Sequence, residues 1–177
     1  GMYLEAAMVI DARQDEADVA NVPGGNNYFT CAELDSLTAA HRNPVLAASG
    51  EKWSAYYIVV DGYFQYDDGT QDTTVLGVMY DTADRDGCAV FHDHSYISTM
   101  PKAFLRTTAH ELGHVFNLLH SFSDGHSTIM AKTGWISPFP DAISYHFSDV
   151  SKRHLREHAT ENVRPGGIPF ATCPEPH

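Results

Sequence analysis

Three histidines and a glutamate in one short run, His110-Glu111-Leu112-Gly113-His114-Val115-Phe116-Asn117-Leu118-Leu119-His120, constrain this chain more than anything else in it. A helix opening over Pro101 to Leu119 brings His110 and His114, four residues apart, onto one face, so that both imidazoles can reach one ion. Glu111 stands one residue round that helix. It is too close in sequence to be an easy third ligand, and better placed to hold a water and act as general base. His120 lies six residues past His114 and can serve as third ligand only if the helix stops between them and the chain turns back. Asn117 is the place for that stop, because after Gly it best tolerates left-handed backbone. The set is then three imidazoles with one open position, the arrangement of a catalytic zinc rather than a closed structural one. The plain alternative is a histidine-rich helix end with hydrogen-bonded core histidines.

The run HELGHVFNLLHS resembles the zinc-binding signature of the metzincin metalloproteases, H-E-x-x-H-x-x-G-x-x-H, with Asn117 in place of the motif glycine. The resemblance makes His110, His114 and His120 the zinc ligands and Glu111 the catalytic base. Ser121, directly after the third histidine, is similar to the matrixin branch. Ser127-Thr128-Ile129-Met130-Ala131 resembles the family's methionine turn, with Met130 beneath the metal. Lys132 stands where some metzincins carry a further tyrosine ligand, so no tyrosine switch is expected.

The resemblance also implies a fold: α/β (α+β) and metzincin-like, with a twisted mixed sheet, a backing helix and the active-site helix. A single catalytic domain would span residues 1–177, with an upper lobe over about 1–120, a lower lobe over about 121–164 holding the methionine turn and a last helix, and a tail over 165–177. The strand bordering the cleft would be Cys88 to His94, its Ala89, Val90 and Phe91 pairing with an extended substrate. Its His92 and His94 match part of a matrixin structural-zinc set, against the plainer reading of a solvent-facing pair. The stretch Ala131 to Pro140 would wall the pocket next to the scissile bond, with Trp135, Ile136 and Phe139 giving an apolar preference. An aromatic loop of this kind is as often plain packing.

Composition narrows the partners. The 177 residues suit one domain with a real core. Acidic residues number 23 against 11 basic, a net charge of -12, which argues against nucleic acid and anionic membrane surfaces and favours a cationic substrate or bound calcium. No stretch reads as a membrane span. Asp81, Asp84 and Asp86 followed by Gly87 form the better calcium candidate, although the full calcium-loop pattern is missing and a solvated turn explains them as well. Cys31, Cys88 and Cys173 have no C-x-x-C spacing; one disulfide with a free thiol and three buried thiols remain open. Gly1 before Met2 reads as an expression scar, so the start of the chain says nothing of a signal peptide or propeptide.

Along the rest of the chain, residues 3–10 are a strand or short helix, with the resemblance favouring a strand, and residues 11–27 are a loop. Thr30 caps a helix and Glu33 completes a capping box; the helix ends near His41 to Pro44, with Val45 to Ala48 as an extension after a kink. Trp53 to Phe64 and Thr73 to Tyr80 read as strands on either side of the turn at Asp67 to Asp72. A last helix is capped at Ser148 or Asp149 and runs to about Thr160. It contains His154-Leu155-Arg156-Glu157-His158, a match to the inverted zinc motif H-x-x-E-H. In a chain with 11 histidines so short a match arises readily by chance, and an exposed helix face is the plainer reading.

The function these readings imply is a zinc-dependent endopeptidase acting on protein or peptide, secreted or at the cell surface as in the family. Two alternatives stay beside it: a zinc-containing module that holds a protein partner without cleaving it, and a zinc hydrolase of a non-peptide amide. The oligomeric state is not legible.

Overall fold

The computed structural model describes residues 27–49, 53–121 and 127–170, with the side chains of 41–49 left aside. The expected elements over residues 3–26 and Cys173 lie outside the described residues. In chain order the elements are β1 (Tyr28–Phe29), α1 (Cys31–Ser49), β2 (Tyr56–Val60), β3 (Tyr63–Gln65), β4 (Gln71–Asp72), β5 (Gly77–Val78), β6 (Gly87–Phe91), α2 (Ser95–Thr99), α3 (Pro101–Val115), a 3-10 turn (Thr133–Trp135), α4 (Asp149–Glu157) and α5 (Thr160–Val163). Two three-stranded sheets, each mixing parallel and antiparallel pairs, with several helices make an α+β fold.

Helix α1 starts where its capping box requires. Glu33 Oε2 accepts the Thr30 backbone N–H at 2.8 Å, and Thr30 Oγ1 accepts the Glu33 N–H at 3.2 Å. Leu34, Leu37 and Thr38, three and four residues apart, form its buried face. The helix runs through Pro44 to Ser49, taking in the extension expected over Val45 to Ala48.

Its leucines pack on one face of the sheet β2-β6-β5, with Ile58, Val60, Ala89 and Phe91. The opposite face of β6 carries Cys88 and Val90, which pack with Met79, Leu76 and Val115 and toward Leu112 and Phe104 of α3. Every residue of β6 is therefore buried, as a strand covered on both faces must be.

That burial corrects one expectation. Ala89, Val90 and Phe91 do not form the sheet edge: β6 is the central strand, parallel to β2 from Tyr56↔Gly87 to Val60↔Phe91 and antiparallel to β5. The outer strands, among the described residues, are β2 and β5. Two further strands are shorter than expected. The run Trp53 to Phe64 is cut at Asp61-Gly62, where β2 ends and the chain leaves for the other sheet, β1-β3-β4. A Cβ on Gly62 would lie 2.6 Å from the Asn27 carbonyl oxygen, so the crossing needs glycine. Of Thr73 to Tyr80, only Gly77–Val78 pairs as strand.

The C-terminal part closes on the body. Ser148 caps α4 by accepting the Ser151 N–H at 3.1 Å, and the helix stops at Glu157, short of Thr160. Residues 165–170, expected to begin the tail, pack back instead, and 171–177 lie outside the described residues. Buried Arg85 donates to the carbonyls of Val115 and Ile168, both at 2.6 Å, and of Arg164 at 3.0 Å, and the Phe170 N–H reaches the Thr82 carbonyl at 2.8 Å. Among the described residues no helix is long and apolar enough to cross a membrane, and Cys31 and Cys88 carry free thiols.

Candidate metal centre

The three histidines are brought together by one helix end. Helix α3 presents His110 and His114 on one face, ring centroids 4.6 Å apart, and then stops at Val115. Asn117 takes φ +62, the left-handed residue expected there. The closing bonds are those of a Schellman motif: the Leu118 N–H donates to the Gly113 carbonyl at 2.9 Å, and the Asn117 N–H to that of His114 at 2.8 Å. Asn117 also uses its side chain, donating from Nδ2 to the Asn162 carbonyl at 3.0 Å. A glycine would supply the turn without this tie to α5. The reversal carries His120 back over the helix, stacked on His110 at 5.1 Å.

Each ring on α3 is oriented by a carbonyl. His110 Nδ1 lies 2.7 Å from the Ile129 carbonyl and His114 Nδ1 2.7 Å from that of Leu118. A carbonyl accepts only, so in both rings Nδ1 carries the proton and Nε2 offers its lone pair. Those lone pairs converge: His110 Nε2 is 3.1 Å from His114 Nε2 and 3.2 Å from His120 Nε2. Burial first, then the nearby Arg106 guanidinium and the other imidazoles, hold His110 well below the usual histidine range. His114 is pulled down to about 4, chiefly by burial, and His120 is lowered by burial and by Lys132.

Three neutral nitrogens facing one another repel unless a cation lies among them. Four nitrogen ligands around a tetrahedral zinc at about 2.0–2.1 Å stand about 3.3–3.4 Å from each other, close to the spacing found. Among the described residues, this is the group of three or more His, Cys, Asp or Glu side chains close enough to hold a metal ion.

Against α3 at Gly113 lies Met130, fully buried and packed with Leu118 and Ile129. A Cβ added to Gly113 would collide with the Met130 sulfur, so glycine lets the helix sit on the methionine with that side chain in place. The turn that delivers Met130 is closed by the Ala131 N–H on the Thr128 carbonyl at 3.0 Å, and it also supplies the Ile129 carbonyl that orients His110.

A cavity of about 420 Å³ opens on the histidines, between β5 with its flanks (Thr74 to Met79) and the α3 residues Arg106, Thr107 and Glu111, and reaching Lys132, Thr133 and Phe170. The Glu111 carboxyl is pushed up to about 8 by burial, opposed by Arg106 and by the Met79 backbone N–H. Arg106 is itself buried; its guanidinium, brought down to about 10 mainly by burial, donates to Thr133 Oγ1 at 2.9 Å and to the Ala131 carbonyl.

The expected apolar wall is elsewhere. Trp135, Ile136 and Phe139 do not line this cavity: Ile136 is buried with Ala131 and Ile143, Phe139 packs against Tyr96 at 5.4 Å, and Trp135 meets His120 edge-on at 6.5 Å. Ile136 fills core, and Trp135 and Phe139 pack half-buried against the same cluster. Asp81, Asp84 and Asp86 do not gather as a cation site; the Asp81 carboxylate instead accepts the backbone N–H groups of Ala83 and Asp84. His92 pairs with Asp61 at 3.1 Å on the surface, and His94 caps α2. The inverted motif brings no third ligand: His154 is buried and stacked on His158 at 4.5 Å while Glu157 is exposed.

Sequence reasoning missed Arg106, Thr107, Lys132, Thr133 and Phe170. Arg106 was within reach, since a residue four before His110 shares its helix face. Phe170, edge-on to His114 at 5.3 Å, gave no local signal. Comparison with protein-family models, with curated proteins and with solved structures returns no match.

Proposed function

We propose that this protein is a zinc-dependent endopeptidase of the metzincin type. The observation that carries the reading is the convergence of three uncharged imidazole Nε2 atoms beside a buried glutamate, in a cavity bordered by an open strand edge. His110, His114 and His120 would hold the ion, and a zinc bound there supplies Lewis acidity and lowers the pKa of a coordinated water to about 7.

The rest is the work of the chain. The outer edge of β5 has no strand partner among the described residues and runs along the cavity, so an extended peptide can lie against it by main-chain hydrogen bonds. Glu111 projects from α3 toward the same space. Its carboxylate takes a proton from the attacking water, whose oxygen forms the new bond to the scissile carbonyl carbon. As the C–N bond breaks, Glu111 returns that proton to the leaving nitrogen. Burial favours its protonated form, which suits a group that must hold a proton between the two steps. The carbonyls of Ile129 and Leu118 keep His110 and His114 in one tautomer throughout.

A diverse peptide library digested by zinc-loaded protein and read by mass spectrometry tests this. Wild type is expected to cut, Glu111→Ala to bind one zinc and lose roughly a hundredfold or more of the rate, and chelated wild type to be inactive. Equal cleavage by Glu111→Ala would sink the mechanism, and the absence of cuts from a one-zinc protein would sink the endopeptidase reading.

A further inference from the structure

Two cations line the cavity, and neither is ion-paired with a carboxylate among the described residues. Arg106 is 1% exposed, and its guanidinium is spent on neutral acceptors, the Thr133 hydroxyl and the Ala131 carbonyl, while Nε is buried without a partner. The buried Thr107 hydroxyl, also on the cavity wall, has none either. Lys132 is exposed at the same cavity, its ammonium held over the Trp135 ring at 5.4 Å. Among the described residues neither cation forms an ion pair with a carboxylate. Attraction to Glu111, the acid lining the cavity, offsets only part of the cost of burying Arg106.

Such a cation is expensive to keep. In a chain of net charge -12, with 11 basic residues in all, two of them stand at one cavity with no ion-paired carboxylate among the described residues, an arrangement that favours an anion brought there. Apolar side chains of Val75, Leu76, Val78, Met79 and Phe170 line the rest of the cavity, so the two cations stand out against a largely apolar wall.

We infer that this cavity takes a carboxylate from the substrate, an Asp or Glu side chain beside the scissile bond, which Lys132 meets at the mouth and Arg106 attracts from below. The inference rests on the endopeptidase reading and adds its specificity. An internal side chain is favoured over a chain terminus because the open β5 edge, with its flanks from Thr74 to Met79, lies along the cavity and leaves a path for peptide on both sides of it. Arg106 and Lys132 act here through charge, so their contribution appears as discrimination between an acid and its neutral isostere.

The test uses acetylated, amidated decapeptides of Ala and Gly in which one scanned position is Glu, Gln or Leu, with a parallel set left with a free C-terminus. Cleavage by zinc-loaded wild type and Lys132→Glu gives kcat/KM and the position of the cut. Calorimetric binding to zinc-loaded Glu111→Gln reads affinity without turnover. Glu at one fixed position beside the cut is expected to exceed Gln by roughly tenfold or more, and Lys132→Glu, at an exposed position where folding is not at stake, to shrink that ratio several-fold. Cleavage with no preference for Glu, a preference for Leu, or a ratio unchanged in Lys132→Glu would overturn the inference and leave the endopeptidase reading standing. A gain seen only with free C-termini would assign the carboxylate to the chain end and overturn the side-chain assignment. Tighter binding of the Glu peptides without any cleavage would support the carboxylate site and sink the endopeptidase reading. Neither cleavage nor a difference in binding would overturn both.

Discussion

At the scale of single residues, the centre depends on two positions that carry no ligand atom. Asn117 reverses the chain, and Gly113 lets α3 rest on Met130. The first was legible because a left-handed helix stop is a local property of one residue. The second was not, because nothing near Gly113 in sequence announces a sulfur arriving from position 130. The consequence is specific: in Gly113→Ala the new methyl must displace Met130 or lift the helix. Gain in helix propensity, about 1 kcal/mol, is then outweighed or matched by overpacking of about 1–3 kcal/mol. Chemical denaturation should show no net stabilisation, and zinc affinity should fall because Met130 shares its turn with the Ile129 carbonyl that orients His110. A variant that is more stable and binds zinc as tightly as wild type would show that the methionine does not support the site.

At the scale of elements, what could be read from sequence was whatever a helix writes locally. The Thr30–Glu33 box, the Ser148 cap and the start of α3 at Pro101 all stand as expected, since each is satisfied within a few residues. The strands fared worse. Their pairing is decided by distant partners, so Ala89, Val90 and Phe91 looked like an edge and proved to be the sheet centre, and one apolar run was divided between two sheets at Gly62. The capping box offers a test that keeps stability apart from chemistry. Thr30→Ala removes the hydroxyl that accepts the Glu33 N–H on a helix whose leucines face the side of the sheet away from α3. It should cost about 0.5–2 kcal/mol, seen as a lower denaturation midpoint, while zinc affinity stays at the wild-type value. Loss of zinc binding alongside stability would mean that α1 does more than back the sheet.

At the scale of the whole molecule, the site is a cost the fold carries for its ligand. Without metal, the protein gathers three mutually facing imidazoles, two buried and one half-buried, with a buried glutamate and a buried arginine around one cavity. The stability of the chelated protein should therefore depend on pH in two opposed ways. His114 titrates near 4 when folded against 6.5 in an ordinary environment, and His110, His120 and His154 are lowered as well. Below about 6.5 the unfolded chain takes up protons that the folded one refuses, so these groups destabilise the fold as pH falls from 6.5 toward 4. Glu111 acts the other way. Its folded value of about 8 against 4.5 means that the folded chain keeps a proton the unfolded one has lost, so its contribution is present in acid and is lost as pH rises through 8. Denaturant midpoints of the chelated protein should accordingly peak near pH 6 to 7 and fall on both sides, more steeply on the acid side, where these four histidines and His94, also lowered by burial, act against one glutamate. Saturating zinc should raise the curve most on the alkaline side, since protons compete with the metal for the same Nε2 atoms. An acid limb that is flat in the chelated protein would mean that the histidines are not buried and uncharged, and would remove the argument that a cation belongs among them.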